Sequence, residues 1–126
     1  MQAGDLDVLI VDDHEAMRML LARVLNKLGV RQIRAAESGA AALAALGERP
    51  ASLVLADRNM PGMDGFSLVR NIRADPRLGT PRIIMISGNA GGGHEDAARA
   101  AGVDMVLVKP VTGRDLVAAI EVLFAV

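Results

Sequence analysis

Cysteine, tryptophan and tyrosine are absent from this chain of 126 residues, and Phe66 and Phe124 are its only aromatics. The lack of cysteine excludes disulfides, thiolate metal sites and thiol catalysis, while neither requiring nor excluding a reducing compartment. The scarcity of aromatics removes the stacking platforms used to hold single-stranded nucleic acid. Charge of one sign is also missing: 14 Lys and Arg stand against 15 Asp and Glu, a formal net charge of -1. Such a balance sets up no long-range field toward nucleic acid or an anionic membrane, so neither is expected as a partner. The first residues, Met1 to Asp5, carry no basic stretch followed by an apolar run. No segment reaches the roughly 20 apolar residues of a membrane span, and the expectation is a soluble, cytoplasmic protein.

What the chain does have is aliphatic residues. The hydrophobic share of 52% comes mostly from Ala, Val, Leu and Ile, with seven Met residues able to fill irregular gaps. A length of 126 residues suits one domain, expected to span 1–126.

Strand and helix signals alternate from end to end, the pattern of a parallel sheet covered by helices on both faces. Val8-Leu9-Ile10-Val11 is a continuous aliphatic run rich in β-branched residues, as in a strand buried on both sides. From Met17, apolar residues at Leu20, Leu21, Val24, Leu25 and Leu28 mark one helix face, and Gly29 follows at the C-terminal cap position. A weaker strand over 32–36 leads to Ser38, an N-cap, and to an Ala-rich helix ending near Gly47. The next strand, 52–56, stops at Asp57; a turn-rich loop from Met60 to Gly65 follows, with Asp64 capping a helix that runs through Arg73. Residues 82–87 form the fourth strand, 95–101 a short helix closed by Gly102, and 105–108 the fifth strand. Thr112 followed by Asp115 resembles a capping box opening the last helix. Five strands and five helices result, and the glycine-rich segment 88–93 between them reads as a permissive, mobile loop.

Four of these strands end in residues suited to phosphate or metal chemistry: Asp12 and Asp13, Asp57, Ser87 and Lys109. In open α/β sheets ligands bind beyond the carboxyl ends of the strands. If the strand order is the flavodoxin-like 2-1-3-4-5, the first and third strands are neighbours and the three acids share one cleft. Three carboxylates so placed repel one another unless a cation sits among them. Hard oxygen ligands, no His or Cys expected close by, and few protein donors point to Mg²⁺ retaining several waters, with Mn²⁺ as the alternative. Across the cleft, the Lys109 ammonium and the Ser87 hydroxyl suit the equatorial oxygens of a phosphoryl group while a carboxylate attacks phosphorus. Asp57, on the central strand, is the natural nucleophile.

With these motifs in register over nearly its whole length, the chain resembles the receiver domain of two-component response regulators, in length the stand-alone chemotaxis type. The resemblance rests on Asp12-Asp13, on Asp57-x-x-Met60-Pro61-Gly62-Met63-Asp64-Gly65, on Ser87 and on Lys109-Pro110. It implies that Asp57 accepts a phosphoryl group from the phosphohistidine of a histidine kinase or a histidine phosphotransfer protein. It implies further that Asp13 binds Mg²⁺ directly, Asp12 mainly through water, and Asn59 through its backbone carbonyl. Lys109 would pair with a phosphoryl oxygen, Lys109-Pro110 would be cis, and Ser87 would draw its loop toward the phosphate. Asn59, Gly88 and Asn89 occupy positions that influence water attack on the aspartyl-phosphate.

One departure stands out. The family usually carries Tyr or Phe three residues before the lysine, where this chain has Val106. Valine cannot swing between buried and exposed rotamers in that way, so the usual aromatic switch is absent. Output would run instead through the glycine-rich loop, the last two helices or self-association. The last helix carries Val117, Val122, Ala125 and Val126 away from its core-facing residues. That pattern suggests a docking face for a downstream protein or a second copy, built from the fourth helix, fifth strand and fifth helix. A competing reading is a binding module or scaffold that kept the fold and lost the switch. A phosphohydrolase with an aspartyl intermediate is disfavoured because Asn59 stands where its acid/base Asp would be, and no metabolic enzyme activity is expected. His14 and His94 read as exposed rather than as ligands, and the segment 88–93 lacks the Lys-Ser/Thr ending of a P-loop.

Overall fold

The computed structural model describes residues 2–88 and 94–126. Asn89 and the rest of the 89–93 segment lie outside the described residues.

Five parallel strands, β1 (Asp7–Val11), β2 (Gln32–Ala36), β3 (Leu53–Asp57), β4 (Arg82–Ser87) and β5 (Met105–Val108), form one sheet in the order β2-β1-β3-β4-β5. Five helices alternate with them: α1 (Glu15–Leu28), α2 (Gly39–Glu48), α3 (Gly65–Ala74), α4 (His94–Ala101) and α5 (Gly113–Phe124). Short 3₁₀ turns occupy Ala3–Asp5 and Pro76–Leu78. The strand order and helix count agree with the flavodoxin-like expectation. Most boundaries fall within one residue of the sequence reading; α1 shifts furthest, beginning at Glu15, two residues before the apolar pattern starts, because its exposed first turn has no buried face to report.

Alternation of side chains across the pleat sends each strand's residues into two cores. Leu9, Val11, Val54, Ala56, Ile83 and Met85 pack beneath α2, α3 and α4; Val8, Ile10, Leu53, Leu55, Ile84 and Ile86 pack beneath α1 and α5. β3 is buried at every position, as the centre of a doubly covered sheet requires. The helices start where the sequence supplies acceptors: Ser38 accepts from the Ala41 amide, Asp64 from Ser67 and Thr112 from Asp115. Gly29 and Gly102 take positive φ values, 106° and 110°, closing α1 and α4 in the left-handed conformation that glycine adopts without steric cost.

The register positions the site. Val11 lies opposite Ala56, Asp57 opposite Ile86, and Ser87 opposite Val108. The carboxyl ends of β1, β3, β4 and β5 are therefore level, and the residues that terminate them share one rim. At the opposite rim, charged residues tie loops down. Arg73 donates to the carbonyls of Pro81 and Gly102, and Arg34 to those of Ala45, Arg49 and Pro50.

Candidate functional site

Asp12 follows β1 directly, and its amide donates to the Ala36 carbonyl, 3.1 Å, so the edge strand β2 fixes the backbone of the acid pair. Its carboxylate folds back on the chain: Oδ1 accepts the His14 amide at 2.8 Å, a local turn that short acidic side chains favour before a helix. Arg18, one turn into α1, donates to the Asp12 carbonyl at 2.8 Å and ties the helix to the same corner.

Asp57 closes β3 and is almost wholly buried, its side chain 1% exposed. Lys109, just past β5, places Nζ 3.2 Å from Asp57 Oδ1. The lysine is held in place because its own amide donates to the Ser87 carbonyl at 2.8 Å. The Asn59 amide approaches the same Asp57 oxygen at 3.4 Å. Ser87 ends β4 and is buried at the same rim. Beyond it, the Gly88 Cα faces open space, since a side-chain carbon there would meet nothing within 4 Å. The Lys109–Pro110 peptide is cis.

Asp12, Asp13, His14 and Asp57 bring one ligating atom each to within 4.8 Å of one another. The carboxylates are poorly compensated by the protein itself. Asp12 Oδ2 and Asp13 Oδ1 are buried without a hydrogen-bond donor. Burial, and after it the neighbouring charge of Asp12, push the Asp57 carboxyl above its ordinary value of 3.8; Lys109 and the Asn59 amide pull the other way without cancelling the rise. Orphaned buried carboxylate oxygens, all hard donors, make a set that fits a small divalent cation keeping some of its waters.

This imbalance has a measurable consequence. The unfolded chain loses the Asp57 proton near pH 3.8, whereas the folded state holds it to higher pH, so ionised Asp57 lowers stability as pH rises through that window. Asp57→Asn should therefore raise the melting temperature at neutral pH by an amount on the order of a few degrees. The gain should vanish below about pH 3.8 and shrink when Mg²⁺ is added. Thermal unfolding followed by circular dichroism across pH checks this.

The sequence matches the response regulator receiver domain over residues 8–121. The chain belongs to this family. This receiver is 35% identical over 122 residues to the probable chemotaxis protein CheY of Rhizobium etli, covering 97% of this chain and 95% of that protein. It is 36% identical over 120 residues to chemotaxis protein CheY-3 of Vibrio cholerae, covering 95% and 92%. It also resembles the virulence sensor protein BvgS of Bordetella pertussis, 45% identical over 111 residues but spanning 9% of that much longer protein. Among solved structures, CheY4 of Vibrio cholerae superposes with a TM-score of 0.88 at 26% identity, covering 94% of this chain and 98% of that one. The protein is thus a receiver domain of the CheY-like response regulators that serve two-component signalling.

The structure brings Asp12, Asp13, Asp57 and Lys109 together, with Ser87 and the Asn59 backbone at the same rim; Asn89 is outside the described residues. Val106 is partly buried and packs against the core under α2, α3 and α4. Two neighbours were not read from the sequence as parts of the site. His14 is 69% exposed, as expected for a helix start, yet its Nδ1 lies 3.2 Å from Asp12 Oδ1 and 3.2 Å from Asp13 Oδ1. Arg18 was legible only as a polar residue of an amphipathic helix, because its back-bond to Asp12 depends on how α1 leaves the strand.

Proposed function

We propose that this receiver is a phosphorylation-activated signalling module that takes a phosphoryl group onto Asp57 in a Mg²⁺-dependent reaction. The observation that carries the reading is a buried carboxylate, Asp57, held 3.2 Å from the Lys109 ammonium and flanked by two acids with orphaned oxygens. Lys109 and the Asn59 amide both engage Oδ1, so the attack is assigned to Oδ2. Oδ2 forms the new bond to phosphorus while the phosphorus–nitrogen bond of a phosphohistidine breaks and its electron pair stays on the imidazole. Asp12, Asp13, Asp57 and the Asn59 carbonyl would hold Mg²⁺, which supplies charge neutralisation at the phosphoryl oxygens when bound. Lys109 stabilises one phosphoryl oxygen by charge, and the Ser87 hydroxyl another by hydrogen bonding.

The donor is a histidine kinase or histidine phosphotransfer protein, and the setting is the cytoplasm. Among the described residues no helix is long and apolar enough to cross a membrane. Uncharged Asn59 and the open space at Gly88 leave water a path to the phosphoryl group, so the adduct should turn over at a moderate to fast rate; persistence for many hours would contradict this. For output, the edge made by β5 and α5 carries a shallow groove of about 250 Å³ lined by Met105, Leu107, Ala118 and Val122, and Val122 is 73% exposed. We assign the α4-β5-α5 face to a downstream protein or a second copy. Comparison of elution volume with and without a phosphate mimic tests the second copy.

Val106 favours a second reading, a receiver-fold scaffold without a working switch. Intact-mass measurement separates the two. Incubated with a small phosphodonor and Mg²⁺, the wild type should gain the mass of one phosphoryl group, whereas Asp57→Asn, or chelation of the metal, should prevent the gain. An unmodified wild type would leave the scaffold reading standing.

A further inference from the structure

The acid pocket carries one donor that a site of oxygens alone does not have. His14 Nδ1 stands 3.2 Å from both Asp12 Oδ1 and Asp13 Oδ1. The contact to Asp12 has hydrogen-bond geometry; the contact to Asp13 has only the distance, and Asp13 Oδ1 remains without a donor. A single ring nitrogen cannot satisfy two carboxylates, and Asp12 Oδ2, on a residue 1% exposed, is left buried with no partner at all. Two donors set at right angles about an ion at roughly 2.1 Å are about 3.0 Å apart, close to the spacing observed. With an ion in the pocket, the exposed ring can carry its proton on Nε2, where water accepts it, and offer the Nδ1 lone pair to the metal.

We infer that His14 is a nitrogen ligand of this pocket and shifts its preference from Mg²⁺ toward later first-row ions such as Co²⁺, Mn²⁺ gaining less. The inference rests on the pocket being a divalent-cation site. Mg²⁺ takes oxygen donors and gains little from an imidazole, whereas affinity for later first-row ions rises when an imidazole joins carboxylates. The backbone holds the ring in place: the His14 amide donates to Asp12 Oδ1 and the Asp12 carbonyl is fixed by Arg18, so ring and acids turn together.

Calorimetric titration of the tag-free chain with MgCl₂ and CoCl₂, with pulsed electron paramagnetic resonance of bound Mn²⁺, tests this. His14→Ala keeps the amide that donates to Asp12 and removes an exposed ring, so the fold is retained. It should weaken Co²⁺ binding about tenfold while leaving Mg²⁺ binding within about twofold. Wild type and His94→Ala should both show nitrogen coupling at Mn²⁺, and His14→Ala should lose it. Unchanged Co²⁺ affinity in His14→Ala, or no nitrogen coupling in the wild type, overturns the role of His14 while Mg²⁺ binding still stands. If the wild type binds neither Mg²⁺ nor Co²⁺, or binds them equally well after Asp13→Asn, the cation pocket itself is refuted, and the inference with it.

Discussion

Lys109→Ala should slow phosphorylation of Asp57 by about 10²–10³-fold, the effect of removing one preorganised donor from a site where charge develops. Two things are lost together. The ammonium 3.2 Å from Asp57 Oδ1 is the charge that would meet a phosphoryl oxygen, and it also counteracts the rise that burial and Asp12 impose on the Asp57 carboxyl. Without it the carboxylate should hold its proton to still higher pH, and a protonated acid is a poor nucleophile. The acidic limb of the rate–pH profile should therefore move to higher pH in the variant. Rates of adduct formation followed by intact mass over a pH series check both effects. A variant that is merely slow, with an unmoved acidic limb, would assign Lys109 to the phosphoryl group alone.

Gly65→Ala should destabilise the fold by about 2 kcal/mol, although alanine is ordinarily the better helix residue. A side-chain carbon at Gly65 would sit 2.7 Å from the Asp57 carbonyl oxygen and 2.8 Å from the Arg58 Cα. Both are backbone atoms of the β3 end, which the sheet holds: the Arg58 amide donates to Ile86, and the Gly65 amide donates to the Arg58 carbonyl at 2.8 Å. Nothing there yields as the tip of a flexible side chain would, so relief requires moving α3 or displacing Asp57 itself. Phosphorylation should fall along with stability. Gly47→Ala is the control: it lies in α2 with nothing within 4 Å of the added carbon, and the same substitution there should be neutral or stabilising by about 0.5–1 kcal/mol. Urea unfolding should thus show a lowered midpoint for Gly65→Ala and an unchanged or raised one for Gly47→Ala.

Much of this was legible in the sequence because it depends on short-range pattern. β1, β3 and β4 are buried on both faces and so read as unbroken aliphatic runs, and each run stops where a polar residue begins. Once those strands are parallel and level, Asp12, Asp57, Ser87 and Lys109 meet at one rim without further information. Edge strand β2, with only Ala36 buried, gave a weaker signal for the same physical reason. What the sequence did not disclose depends on the direction of single side chains. Arg34 and Arg73 look like solvated charges in the sequence, yet each gathers backbone carbonyls from other parts of the fold, 8 to 29 residues away. His14 was expected to be exposed and is, but the turn that Asp12 makes around its amide also aims the ring at the acids. The close approach of Gly65 to the end of β3 likewise follows from how the loop after Asp57 closes, and local composition does not encode it.

The identity of the phosphoacceptor is the claim on which the rest depends. Wild-type protein treated with a small phosphodonor and Mg²⁺, then reduced with borohydride, converts an aspartyl-phosphate to homoserine, which tandem mass spectrometry locates in the digest. The account predicts homoserine at position 57 and at no other aspartate. An unmodified Asp57, or homoserine at Asp12 or Asp13 instead, would contradict it.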